Sequence, residues 1–137
     1  MSLRTSARLG TTLLTAGLLA WGAPWATAQA AQLRVETHNI YEGSTLRGSV
    51  SWNPNPSGSI PGDALRVCDL SGDGWAIEAV LWRQGIVERE VSTRGHNADY
   101  CTPWVGGNLP ENQIYGVKVF KVHGTSAVLL DEFYVNT

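Results

Sequence analysis

The sequence predicts an all-β chain: a single small β-sandwich of about seven strands, with a small barrel as the alternative, behind an N-terminal signal peptide. Three observations predict it. Short segments alternate apolar and polar residues with a period of two. No window of eleven or more residues holds a convincing helical period beside them. Gly, Pro, Asn, Asp and Ser break the chain at strand-length intervals.

The leader is read first. Arg4 and Arg8 give a positive start, "TTLLTAGLLAWGAPWA" supplies an apolar stretch, and "ATAQA" offers small residues at the −3 and −1 positions of a signal-peptidase site. The apolar stretch is shorter than the roughly 18–20 residues a bilayer span needs, and Gly22 and Pro24 interrupt it. A cut after Ala30 is expected, with Ala28 nearly as good. Residues 1–30 are then the signal peptide, and residues 31–137, 107 in all, form one exported domain.

The strands follow in order. "QLRVETHNIY" sets Leu33, Val35 and Thr37 against Arg34, Glu36 and His38, so one face is expected to be wet. Gly43 and Ser44 turn the chain into "LRGSVSW", where Leu46, Val50 and Trp52 share a parity. "NPNPSGSIPG" is a loop, because its three prolines lack the N–H a ladder needs. "DALRVCDL" is the next strand. "WAIEAVLWRQ" places Trp75, Ile77, Ala79 and Leu81 on one side, with Glu78 and Trp82 on the other. "IVEREVS" returns after a Gln84-Gly85 turn, with Val87 and Val91 expected in phase. "QIYGVKVFKV" and "SAVLLDEFYV" flank His123-Gly124-Thr125, a second hairpin signal.

One local pattern refines the fold. In "NLPENQIYGVKV", Leu109 and Pro110 precede Tyr115, and Val117 and Val119 alternate after it. This resembles the tyrosine corner of immunoglobulin and fibronectin type III sandwiches, which implies a Tyr115 hydroxyl bonded back to the upstream turn. The spacing of the cysteines differs from an immunoglobulin core bridge, so the reading is sandwich-like and no closer.

Both cysteines, Cys68 and Cys101, lie after the leader, and an isolated pair in a small exported domain is expected to form a disulfide. Without Arg4 and Arg8, eight Lys and Arg stand against twelve Asp and Glu, a net charge of −4 with no basic run. Such a surface repels a phosphate backbone, so nucleic acid is not an expected partner. No second apolar segment is long enough for a membrane span once the leader is removed.

The constellations that carry chemistry are weak. Asp69, Ser71, Asp73 and Gly74 match the first half of a hand-type calcium loop, but the closing Glu position is Val80 and no helix flanks it. A turn is the expected reading, since Asp and Ser bond local backbone in tight turns. "TRGHNADYC" gathers His96, Asp99 and Cys101, with Ser71 and Ser92 elsewhere, but nearness along a loop does not place a nucleophile on its base. No GxSxG, HExxH, CxxC or phosphate-cradling Gly loop is present. His38, His96 and His123 are too far apart in sequence to read as a metal set. The chain is therefore expected not to be an enzyme and to carry neither cofactor nor metal.

The tryptophans are more suggestive. Trp75 follows a polar turn, and Trp104 sits in "CTPWVGG" after a cysteine and a proline. Placed so, they are candidates to stack on a sugar or anchor a protein partner. The alternative is that they cap the open ends of the sandwich and cover the disulfide.

The segments "LRVCDLSGDGWAIEA" and "STRGHNADYCTPWVGGNLPENQIYGVKV" together resemble a group of small secreted proteins of soil actinobacteria. The shared elements are V-C-D with D-G, S-T-x-G-H, and Y-C-T-P-W followed by G-N-L. The resemblance covers about half of the exported part. It implies a secreted single domain with a Cys68–Cys101 bridge, and it implies no activity.

The expectation is thus a secreted, monomeric, non-catalytic interaction module for cell wall, polysaccharide or an extracellular protein. Trp75 and Trp104 would be its contact residues, and the "DLSGDG" and "TRGHNADY" loops its polar rim. The alternative is a proteinaceous inhibitor of a secreted hydrolase, presenting the loop from Arg94 to Trp104. A small hydrolase ranks third.

Overall fold

The structure, a computed structural model, describes residues 34–137; the leader and its cut after Ala30 lie outside the described residues. Among the described residues eight strands are present: β1 (Glu36–Glu42), β2 (Thr45–Asn53), β3 (Ala64–Asp69), β4 (Ala76–Arg83), β5 (Ile86–Ser92), β6 (Tyr100–Cys101), β7 (Ile114–His123) and β8 (Ser126–Asn136). They form two antiparallel four-stranded sheets, ordered β1-β2-β3-β6 and β5-β4-β7-β8. The fold is a small β-sandwich. Its seven longer strands are the ones the alternation predicts. The eighth, β6, has only two residues, too few to show a period.

The core is the set of side chains that both sheets turn inward. Ile40, Val50, Trp52, Leu65, Val67, Ile77, Ala79, Leu81, Val91, Tyr115, Val117, Val119 and Val135 are all buried in one cluster. Trp52 keeps its polar atom satisfied there, donating its indole N–H to the Asn136 carbonyl at 2.9 Å. The Gln84-Gly85 hairpin has φ of 52° and 82° at its two turn residues, the conformation for which glycine is selected in a two-residue hairpin.

Three expectations need correcting. In β1 the inward parity is the other one: Ile40 is fully buried and His38 half-buried, while Val35 and Thr37 are exposed. His38 stacks on Phe133 of β8 at 3.7 Å, so an imidazole joins the apolar side. Side chains alternate, so placing Ile40 inside turns His38 to the same face. In β5 a bulge separates Val87 from Val91. Leu81 pairs with Arg89 but Trp82 with Val87, so Glu88 is an extra residue and Val87 faces out, 59 % exposed. At the expected tyrosine corner, Tyr115 is buried but its hydroxyl makes no hydrogen bond among the described residues.

The strands run up and down, so the connections after β1, β3, β5 and β7 meet at one end of the sandwich. At the other end the proline-rich 54–63 loop is tied down by Asp63. Its Oδ2 accepts the Leu109 N–H at 2.9 Å, and its carbonyl accepts Arg89 Nη1. Burial lowers the pKa of that guanidinium, opposed by the nearby charge of Asp63.

Candidate functional site

The end that collects the β1–β2, β3–β4, β5–β6 and β7–β8 connections carries a cleft of about 520 Å³. The β3–β4 loop contributes Ser71, Gly72, Gly74 and Trp75, the β5–β6 loop contributes 94–98, and the β7–β8 turn contributes His123 and Gly124. Asp69, the last residue of β3, completes the lining from below.

Local bonds fix each wall. In the β3–β4 loop, Asp69 Oδ1 accepts the Ser71 N–H at 3.0 Å and Asp73 Oδ1 accepts the Trp75 N–H at 2.9 Å, two successive Asx turns. The loop expected to be a turn is therefore a turn. Arg47 sits where a cation would, donating to Ser71 Oγ at 3.1 Å and Asp73 Oδ2 at 2.7 Å. Arg47 is itself the extra residue of a bulge, since Ile40 pairs with Gly48 and Tyr41 with Leu46. That irregularity lets its side chain turn toward the loop. Its other partner is Glu42, at 2.8 Å, which also binds Lys121 of β7. The Lys121 hydrogen bond lowers the Glu42 pKa, outweighing the upward pull of desolvation. The Lys121 ammonium also lies 5.0 Å from the centre of the Trp75 ring.

The β5–β6 loop is held at both feet. Thr93, fully buried, continues the ladder past β5, its N–H donating to the Ile77 carbonyl and its Oγ1 accepting the Ile77 N–H, both at 2.9 Å. At the other foot Cys101 faces Cys68, and the two form the expected disulfide. Between them Arg94 pairs with Glu78 at 3.1 Å and donates to the Gly124 carbonyl at 2.9 Å, tying this loop to the β7–β8 turn. His96 stacks flat on Tyr100 with ring centres 3.7 Å apart. Among the described residues, no hydrogen bond links His96 to Ser71, Ser92 or Asp99.

Asp69 is the unusual group. It is the inward-facing end of β3 and only 3 % exposed, yet it belongs to no ion pair among the described residues. Burial raises its carboxyl pKa, the Ser71 N–H opposes that, and the charges of Asp73 and Asp99 add to the rise.

Of the two predicted contact residues, the cleft takes in Trp75 and leaves Trp104 out. Trp75 is half-buried, its ring tilted against His123 at 5.6 Å. Trp104, also half-buried, lies in the segment beside β3 that Val105 pins to Leu65 through a two-bond bridge. Sequence reading put the loop of His96 on the rim beside Trp75 but missed His123 there. The available signal was topological: His123 precedes a turn glycine, and turns two strands apart in an up-and-down antiparallel arrangement fall at the same end. Compared with protein-family models, curated proteins and solved structures, the chain has no match. Among the described residues no helix is long and apolar enough to cross a membrane, and no group of three or more His, Cys, Asp or Glu side chains is placed to hold a metal ion.

Proposed function

We propose that this chain is an exported, non-catalytic binding module whose ligand face is the cleft around Trp75, and that the ligand is an extracellular glycan. The observation that carries the reading is the convergence of Trp75 with two polar loops that hydrogen bonds hold in place. A pre-ordered aromatic wall beside polar rims suits a ring that offers an apolar face and hydroxyl edges. Retention on washed cell-wall material, competed by soluble sugar, tests it. Trp75→Ala is expected to abolish retention, and Trp104→Ala to leave it intact. Retention unaffected by Trp75→Ala would overturn the assignment.

A second reading has its own observation. Arg94, Gly95, His96 and Asn97 form an exposed tip between two anchored feet, the arrangement of a loop offered to a hydrolase active site. Inhibition of secreted proteases or glycosidases at micromolar protein would favour it.

A further inference from the structure

We infer that the cleft recognises an organic ammonium group, held by Asp69 beneath the aromatic wall of Trp75. The inference rests on the reading of this cleft as the binding face, and it names the ligand chemistry.

The charges around the cleft fall into two groups. Arg94 is paired with Glu78, and Arg47 and Lys121 are shared among Glu42 and Asp73. Asp69 and Asp99 stand outside these pairs among the described residues. Asp99 lies in the exposed loop, where water solvates it, but Asp69 lines the cleft from a buried position with one backbone N–H as its hydrogen-bond partner. A carboxylate withdrawn from water without a counter-charge is costly, and a ligand that supplies the charge recovers that cost on binding. The remaining lining decides which cation. A zinc-type ion needs several imidazole, thiolate or carboxylate ligands converging on one point, and the described residues place no such group of three. An ammonium needs one carboxylate for its N–H donors and an aromatic face for its charge. Asp69 supplies the carboxylate, and the Trp75 ring lines the same cleft with the Lys121 ammonium already 5.0 Å from its centre; His96, stacked on Tyr100, adds a second ring from the facing loop.

Two sources carry this chemistry, a deacetylated amino sugar and a lysine-type side chain. The test is an NMR titration of the oxidised protein, reading the Trp75 indole N–H and the amides of Gly72, Gly74 and Gly95. The probes are the β-1,4-linked disaccharide of glucosamine, its di-N-acetylated counterpart and Nα-acetyl-lysinamide, all at physiological ionic strength. Acetylation removes the charge and keeps the ring, so the free disaccharide is expected to bind at least about tenfold more tightly. Asp69→Asn keeps the acceptor for the Ser71 N–H and removes the charge, and it is expected to erase that difference. Equal response to the lysine derivative assigns the amine itself as the recognised group; response to the sugar alone assigns an amino sugar. Equal affinity for free and acetylated disaccharides, or a preference that survives Asp69→Asn, overturns the ammonium inference and leaves the glycan reading standing. If Trp75→Ala also leaves wall retention unchanged, the cleft reading itself fails.

Discussion

Cys68 stands directly opposite Cys101 in an antiparallel pair that β6 makes only two residues long. The covalent bond therefore holds what the ladder alone holds weakly: the far foot of the loop that carries His96. The bridge closes a loop with a sequence separation of 33. Replacing both cysteines with serine is expected to cost about 3–4 kcal/mol on the chain-entropy account, read from urea denaturation. Hydrogen exchange is expected to rise first over 94–101 and to stay low in β4 and β7. Uniform loss of protection would show that the bridge supports the whole sandwich and not the loop.

Acid dependence separates two carboxylates at the same end. The Glu42 pKa is lowered in the folded state, so its contribution is complete above the unfolded value and is lost as pH falls through the folded one. Asp69 has a raised pKa, so its ionised form opposes folding at neutral pH and protonation on acidification relieves that. Urea midpoints between pH 7 and pH 3 should therefore fall less steeply for Glu42→Gln than for the parent. Asp69→Asn should exceed the parent in stability at pH 7 and converge with it in acid. The opposite ordering would reverse the assigned environments.

Tyr115 offers a direct measurement of its hydroxyl. Because the buried Oη has no partner among the described residues, Tyr115→Phe is expected to stay within about 0.5 kcal/mol of the parent or to stabilise it, since an unpaired buried polar atom is removed. A loss of about 1–2 kcal/mol would show that the hydroxyl is hydrogen-bonded in solution, as a tyrosine corner requires.

Two of the glycines fixed by close approach lie in strands, Gly48 in β2 and Gly116 in β7. At Gly116 a Cβ would lie 2.5 Å from the Trp82 indole, which rests on the sheet there, and at Gly48 it would meet the Cys68 carbonyl oxygen of the next strand. A side chain yields more easily than backbone. Gly116→Ala is expected to cost about 1–3 kcal/mol, and Gly48→Ala more, by thermal or urea unfolding. Trp82 emission should shift in the first variant and not in the second.

The strands were legible where alternation was long and turn residues bounded it. "WAIEAVLWRQ" shows Ile77, Ala79 and Leu81 inward from parity alone. Parity misled in β1, because Val35 and Thr37 look apolar beside Glu36, while the position that decides the face is Ile40. It misled in β5 because a bulge leaves no mark in composition. The site was half legible. Trp75 stands out from its place after a polar turn, whereas the lack of an ion pair at Asp69 depends on where Arg47, Arg94 and Lys121 spend their charges. Only the assembled sheets bring those side chains together.

The bulges have a consequence at the rims of the second sheet. Both of its outermost strands, β5 and β8, carry the extra residue of a bulge, Glu88 and Leu130. A foreign strand docking on such a border finds its pleat out of step after a few residues, and on β5 it also meets Glu88 and Glu90. Growth of one molecule onto the next by sheet extension would require these irregularities to be straightened. The same kind of irregularity that turns Arg47 toward its loop in β2 thus guards the two borders of the other sheet against fibrous association.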